Sequence, residues 1–238
     1  MGSYDNCYFA FIDILGFKEM VGKKSCSEIL NVFGELGKQY VVSEVIDEGH
    51  RIPVIDPNDI HYYIMSDSIC IYIEDKIPHA LPILTFLCMN IQTRMLCLDP
   101  PVFVRGSISR GEVYGDNNVL FGPALVKAYL RAEKLARVPR IITPAYLHEE
   151  MTDSFDAALL SGFTYLDLDG FYTNRYIEYF CAHNSMASYR SDVIRFVNDM
   201  VNNCVDQSLR DKYLYVKSRI DNSLIQQAIE EESLADQA

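Results

Sequence analysis

Residues 7–17 read CYFAFIDILGF, a continuous apolar and aromatic run that ends in the carboxylate of Asp13 and is followed by Gly16. A short apolar run bounded by turn residues is typical of a strand that is buried on both faces. We therefore expect a strand over residues 7–13 at the centre of a sheet, with its acidic end at the sheet edge.

Helical and strand patterns alternate along the chain after this first strand. Ser25 and Glu28 have the spacing of a capping box, which predicts the start of a helix. Asp67 lies between two β-rich runs and is expected at the tip of a hairpin. The predicted elements are a helix over 27–45, strands at 61–66 and 68–73, a helix over 78–98, strands at 102–109 and 112–114, a helix from Gly122 to about Arg137 and a strand at 139–143.

The order β-α-β-β-α-β predicts an α+β fold with a ferredoxin-like core, in which the helices cover one face of the sheet. Residues 163–180 predict a further hairpin around Asp169-Gly170, and residues 189–229 predict two helices. We expect residues 1–145 to form the core, and residues 146–238 to add an accessory hairpin and helices to the same domain.

The composition is that of an ordinary globular protein and excludes several classes of function. The 238 residues include 21 Lys and Arg against 33 Asp and Glu, for a net charge of −12. Such a surface does not attract nucleic acid or anionic lipid, so we expect neither as a partner. Seven scattered cysteines without a CxxC pair, together with the lack of an apolar stretch of about 20 residues, favour a cytoplasmic protein and no membrane span.

Asp13 and Asp67 are the candidate metal ligands. In the predicted topology the first strand lies beside the hairpin, so both carboxylates reach one edge of the sheet. Mg²⁺ and Mn²⁺ are held typically by one or two carboxylates together with substrate phosphates. The turn at Gly16 leads into a helix, whose backbone N–H groups can cradle phosphate oxygens. The alternative is that each Asp is simply a turn residue.

Four blocks of sequence, in order, resemble the catalytic domains of class III nucleotidyl cyclases. They cover roughly the first 145 residues, and the likeness is greatest to the pyrimidine cyclases of the bacterial Pycsar anti-phage systems, which also have a counterpart of Pro139-Arg-Ile141. The blocks are FIDILGF at 11–17, MSDS at 65–68, RGSISRGEV at 105–113 and FGPALVKA at 121–128.

The resemblance implies a homodimer that converts a nucleoside triphosphate to a 3′,5′-cyclic monophosphate and pyrophosphate with two Mn²⁺ or Mg²⁺ ions. Asp13 and Asp67 would be the metal carboxylates, and Ile14 would offer its backbone carbonyl. Phe11, Gly16 and Phe17 would contribute to nucleotide binding. The product would act on a separately encoded effector in anti-phage defence.

Two departures from the purine cyclases of this class point to a different base. Those enzymes resemble one another in a Lys four residues before the second metal Asp and an Asp three residues before the Gly that matches Gly122. Here these positions hold Tyr63 and Val119. We therefore expect Tyr63 to meet a pyrimidine. UTP, giving cyclic UMP, is preferred over CTP, giving cyclic CMP.

A further departure affects the transition state. Many members of the class carry Asn and Arg one helical turn apart, where this chain has Val126 and Leu130. Arg131 is our first candidate for that catalytic role, and Arg110 and Lys127 are candidates for phosphate binding. Two alternatives stay open, namely a non-catalytic nucleotide sensor with the cyclase fold, and a polymerase-like palm that joins nucleotides.

Overall fold

The structure is a computed structural model that describes residues 3–37, 46–47, 50–51, 55–96, 98–116, 118–166, 174–177 and 187–235. Its elements, in chain order, are β1 (Asp5–Ile14), α1 (Phe17–Lys23), α2 (Cys26–Gly37), β2 (Ile46–Asp47), β3 (His50–Arg51), a 3₁₀ turn (Pro57–Asp59), β4 (His61–Met65), β5 (Ser68–Glu74), α3 (Ala80–Leu96), β6 (Val104–Gly115), β7 (Leu120–Phe121), α4 (Pro123–Leu135), β8 (Ile141–Pro144), α5 (Ala145–Glu149), α6 (Ser154–Phe163), β9 (Thr164–Leu166), β10 (Asn174–Ile177), α7 (Ala187–Asn203) and α8 (Gln207–Ala235).

The main sheet has the order β4-β5-β1-β6-β8-β10-β9, and β7 pairs with β6 at the side. The pairs in this sheet are antiparallel except for β6 with β8, which is parallel. The strands β4-β5-β1-β6, connected through α2 and α3, reproduce the order expected of a ferredoxin-like core. The predicted α+β fold with a β-α-β-β-α-β core is therefore confirmed, and β1 lies inside the sheet as expected.

The two faces of β1 belong to two different apolar cores, because successive side chains on a strand point to opposite sides. Ala10 and Ile12 belong to the larger core, together with the apolar residues of α3. Phe9 and Phe11 belong to a smaller core with a stripe of three alanines on α4, namely Ala124, Ala128 and Ala132. By the same alternation Asp13 lies on the α4 side of the sheet.

Several predicted boundaries differ from those of the structure. The predicted helix over 27–45 corresponds to α2, which is described to Gly37, and residues 38–45 lie outside the described part. The two strands predicted at 102–109 and 112–114 are one continuous strand, β6, because Gly111 continues the ladder with β1. The capping box is confirmed, since the Ser25 N–H donates to the Glu28 carboxylate at 2.7 Å.

The C-terminal elements were predicted in outline. β9 and β10 form the expected antiparallel pair, while the predicted turn at 169–170 lies outside the described residues. The two expected helices are α7 and α8, and Val197 and Val216 on them join the larger core. The division of the chain at residue 145 stays a prediction. In the described part of the chain, no helix is both long and apolar enough to cross a membrane.

Candidate active site

Asp13 and Asp67 lie at the same edge of the sheet, 54 positions apart in sequence. Asp13 is near the end of β1, where it pairs with Ser68, the first residue of β5. Asp67 lies in the two-residue turn between β4 and β5, and the Ile14 N–H donates a hydrogen bond of 2.9 Å to the Asp67 backbone carbonyl. Ser66 adopts a left-handed conformation (φ 58°), which lets this turn close tightly. The hairpin thus brings the second carboxylate to the first.

Arg105 is the cross-strand neighbour of Asp13 on β6. Its Nε donates to Asp13 Oδ2 at 2.8 Å, and its second terminal nitrogen donates to the Glu133 carboxylate of α4 at 2.7 Å. Sequence reasoning missed both Arg105 and Glu133 as site residues. Arg105 opens one of the quoted blocks, and the antiparallel register of β1 and β6 is the signal that would have assigned it.

The electrostatics of Asp13 are unusual for a carboxylate in an ion pair. Burial raises the pKa of the Asp13 carboxyl above its ordinary range, although the hydrogen bond and charge of Arg105 act in the opposite direction. The negative charges of Asp67 and Glu133 add to the increase. Burial therefore has the largest effect on Asp13, and the attraction of Arg105 does not fully offset it.

Gly16 and Phe17 form the turn that follows β1. Gly16 adopts a left-handed conformation (φ 78°) just before α1, which side chains other than glycine rarely adopt. The Phe17 ring packs against Phe33 of α2 at a centroid distance of 5.8 Å. The turn is thus shaped by glycine and fixed by aromatic packing, directly after the Asp13 edge.

Tyr63 lies on the same face of the sheet as Phe11 and Asp13. Tyr63 pairs with Cys70 on β5, and Cys70 pairs with Phe11 on β1, so the three form one row across the sheet. Asp13 lies two residues further along β1, which places it roughly 12 Å from Tyr63 by strand spacing. That span is compatible with one ligand that reaches both residues.

The hydroxyl of Tyr63 is already bonded within the chain. It donates to the Asp116 backbone carbonyl at 2.7 Å, just beyond the end of β6. Two strands separate β4 from β6 in the sheet, so the end of β6 curls back over this face to reach Tyr63. The Tyr63 ring also stacks on Tyr72, at 6.2 Å between centroids. Burial and the hydrogen bond with Tyr63 both raise the pKa of Tyr72.

The structure does not bring Arg110 or Lys127 to the Asp13 edge. Arg110 is five residues from Arg105 on β6, so it lies about 16 Å away and on the opposite face. It forms ion pairs with Asp75 and Glu150 there. Lys127 extends toward Gly111, at 3.7 Å from the position that a β-carbon on that glycine would occupy.

Arg131 is bonded within the chain, away from Asp13. Its guanidinium donates to the Ile108 backbone carbonyl at 3.2 Å and lies 6.0 Å from the centre of the Tyr146 ring. Arg140, the arginine of the PRI block, is buried and donates to the Leu135 carbonyl at 3.1 Å. Arg105 thus bonds to Asp13 directly, whereas Arg131 and Arg140 bond to backbone carbonyls.

An apolar stripe runs along the outward side of α4. Val126, Tyr129 and Leu130 are between 43% and 52% exposed, and their spacing puts them on one side of the helix. Tyr129 also packs edge-on against Phe11 at 5.3 Å. The stripe therefore lies next to the face that carries the candidate site.

In the described residues, no group of three or more His, Cys, Asp or Glu side chains could hold a metal ion by itself. Two carboxylates at one edge nevertheless fit the pattern of an ion that is held partly by protein and partly by substrate phosphates. The raised pKa of Asp13 agrees with that chemistry, because a nearby cation would stabilise the charged form that burial disfavours.

No family model and no curated protein sequence matches the chain. Among solved structures, the chain is similar to the catalytic core of a rhodopsin-guanylyl cyclase with converted specificity in complex with ATPalphaS, with a TM-score of 0.49, 12% identity, and coverage of 74% of this chain and 97% of that one. It is also similar to a bacterial light-regulated adenylyl cyclase, with a TM-score of 0.48, 11% identity and 82% of this chain covered, and it spans 59% of that protein. At this identity the likenesses concern the fold alone.

Proposed function

We propose that this chain is a class III nucleotidyl cyclase, which converts a nucleoside triphosphate to a 3′,5′-cyclic monophosphate and pyrophosphate. The observation that supports this most directly is the convergence of Asp13 and Asp67 at one edge of the sheet, joined by the bond from the Ile14 N–H to the Asp67 carbonyl. The order of the four sequence blocks agrees with it.

The residues at this edge fit divalent cations. Asp13, Asp67 and the backbone carbonyl of Ile14 would hold Mn²⁺ or Mg²⁺, two ions per site, with the phosphates completing the coordination. When bound, such ions lower the pKa of the ribose 3′-hydroxyl and screen the charge of the triphosphate. The two carboxylates then act by holding the reacting groups in line, so a side-chain general base is not required.

Basic groups of the chain have different routes to the phosphates. Arg105 already lies at the Asp13 edge. If Asp13 bound a cation instead of Arg105, the Arg105 Nε would be free to donate to an oxygen of the triphosphate. Arg131 stays the proposed catalytic arginine, and it would have to give up its bond to Ile108 to act in its own subunit. Arg110 and Lys127 are proposed for binding only and lie far from Asp13 in the same subunit. Phe11, Gly16 and Phe17 would line the nucleotide.

The proposed base is a pyrimidine, and UTP is the preferred substrate, giving cyclic UMP. Tyr63 supports this, because its aromatic ring stands where a purine cyclase carries Lys. The distance of roughly 12 Å between Tyr63 and Asp13 suits a base at one end and phosphates at the other. CTP is the alternative, since uracil and cytosine differ mainly in the direction of one hydrogen bond.

A homodimer is part of the proposal. The exposed stripe of Val126, Tyr129 and Leu130 supports it, because apolar side chains on one surface mark interaction sites when they cluster. The same Val126 and Leu130 replace polar residues of the class and favour the second candidate, a nucleotide sensor without turnover. If the chain is an active cyclase, its cyclic product would reach a separate effector in the cytoplasm and serve in anti-phage defence.

The test is to incubate the purified chain with each of the four nucleoside triphosphates and Mn²⁺ and to identify products by mass. We expect a cyclic pyrimidine monophosphate, and a loss of activity of about 100-fold or more in Asp67→Asn, because even residues that only support metal ligands are worth about 10–100-fold. Asp199 is an exposed carboxylate on α7, so Asp199→Asn is the matched control and should keep full activity.

Each other result has a definite meaning. Nucleotide binding without product would favour the sensor, and linked nucleotides would favour the polymerase-like palm. A cyclic purine product would leave a cyclase but refute the proposed base. Turnover in Asp67→Asn equal to that of the wild type would refute the site.

A further inference from the structure

The C-terminal helices α7 and α8 contact two segments whose backbone bonds to residues near Asp13 and Arg105. The first segment is Phe103, immediately before β6, and the second is Arg140, immediately before β8. Neither segment belongs to the proposed ligand set. Their contacts with α7 and α8 therefore raise the question of what the accessory helices do for the site.

Phe103 connects the helices to the turn after β1. Its ring stacks on Phe196 of α7 at 6.3 Å and meets Tyr213 of α8 edge-on at 5.7 Å. Phe196 and Tyr213 also contact each other at 6.0 Å, so the three rings form a closed cluster. The backbone carbonyl of Phe103 accepts a hydrogen bond of 2.9 Å from the N–H of Leu15, two residues after Asp13.

Arg140 connects α8 to β6, the strand that carries Arg105. Its guanidinium lies 5.8 Å from the centre of the Tyr215 ring. Its backbone carbonyl accepts a hydrogen bond of 3.0 Å from the N–H of Gly106. Gly106 follows Arg105, the partner of Asp13, and pairs with Ile12, the residue before Asp13.

These two connections converge on one carboxylate. Tyr213 contacts Phe103, whose carbonyl accepts from Leu15, and Tyr215 contacts Arg140, whose carbonyl accepts from Gly106. We propose that α7 and α8 position Asp13 and its partner Arg105 through these two backbone hydrogen bonds, so that Phe103, Tyr213 and Tyr215 are positioning residues of the cation site. The inference rests on the proposed function only where it concerns cation binding.

Three consecutive residues of α8 provide the test. Tyr213→Ala should speed hydrogen exchange of the Leu15 amide about tenfold, the factor expected from the loss of one or two aromatic pairs. Tyr215→Ala should act mainly on the Gly106 amide. Leu214→Ala, at an exposed position between them, is the matched control and should change neither amide. Exchange is followed by NMR, residue by residue.

Binding of Mn²⁺ alone, followed by calorimetry, is the second readout. Tyr213→Ala should weaken it several-fold, and Tyr213→Phe, which keeps the ring, should restore it. If Tyr213→Ala does not fold, Phe196→Leu removes the other face of the cluster and replaces it in the experiment.

The outcomes separate this inference from the proposed function. Unchanged Leu15 exchange in a folded Tyr213→Ala variant overturns the inference, and so does faster exchange that leaves Mn²⁺ binding unaltered. A wild-type chain that forms no cyclic nucleotide with Mn²⁺ refutes the proposed function, and the exchange pattern then decides by itself whether the helices position Asp13. The exchange pattern decides likewise where the wild-type chain binds no Mn²⁺ without phosphates.

Discussion

Replacing Gly106 by alanine tests whether the spacing of β1 and β6 sets the site. A β-carbon at position 106 would lie 2.3 Å from the Phe11 carbonyl oxygen and 3.2 Å from the Ile12 α-carbon. Ordinary contact begins near 3.4 Å, so the first distance is about 1 Å too short. The obstructing atoms belong to the backbone of β1, so the strand itself has to move.

The size of the effect follows from this displacement. Overpacking of a close contact costs about 1–3 kcal/mol, which in a chain of this length lowers Tm by about 2–12 °C. Gly106 is next to Arg105 and pairs with the residue before Asp13, so the same movement separates the ion pair. A misplacement of about 1 Å at reacting groups costs up to about 100-fold in rate.

The assay compares thermal unfolding and cyclic nucleotide formation in Gly106→Ala and in a matched variant, Gly34→Ala. Gly34 lies within α2, and a β-carbon there would meet no atom within 4 Å. Its replacement should stabilise the helix by about 0.5–1 kcal/mol and leave turnover unchanged. A Gly106→Ala protein with the Tm and turnover of the wild type would refute the reasoning.

Two further predictions concern buried polar groups. Because burial raises the pKa of Asp13, the folded state holds its proton to higher pH than the unfolded state, and stability is lost as pH rises from the ordinary value of 3.8 through the raised one. Without divalent ions, Asp13→Asn should therefore gain in Tm relative to the wild type as pH rises above 3.8. In the activity assay the same variant should lose product formation. A Tm difference that shrinks as pH rises would contradict this. Gln92 of α3 is 1% exposed, and neither polar atom of its amide has a hydrogen-bond partner within the described residues. Gln92→Met should raise the free energy of unfolding in urea by about 1–3 kcal/mol. The control is Thr85→Val, which removes a hydroxyl that donates to the Leu81 carbonyl and should give no such gain. Equal effects of the two variants would contradict the view that the unpaired amide of Gln92 costs stability.

The ferredoxin-like core was predictable because its signals are local. The run at 7–13 is too apolar for a surface strand, and the alternation around Asp67 marks a hairpin without reference to distant residues. In the expected core the first strand lies beside this hairpin, so the acidic end of the strand and the hairpin tip meet at one edge. The sequence could thus predict Asp13 and Asp67 at one edge, without the register of β1 against β5.

The surroundings of these carboxylates depend on register, which single-sequence patterns do not specify across distant strands. The pairing of Asp13 with Arg105 requires β1 and β6 to align at one offset out of many. The bond from the Tyr63 hydroxyl to the Asp116 carbonyl likewise joins residues that are 53 positions apart, so no local pattern predicts it. That Arg110 faces away from Arg105 could have been predicted from the sequence, since residues five apart on one strand point to opposite faces.

The cost of ionising Asp13 sets it apart from a carboxylate that serves only an ion pair. Such a carboxylate would have a pKa below the ordinary range, because its partner would favour the charged form. At Asp13 burial has the largest effect and outweighs the hydrogen bond and charge of Arg105, so the ionised side chain costs folding free energy. A divalent cation that meets both Asp13 and Asp67 would stabilise the ionised form that burial disfavours. A half-buried carboxylate with a second carboxylate beside it is therefore the physical reason to look for the ion here.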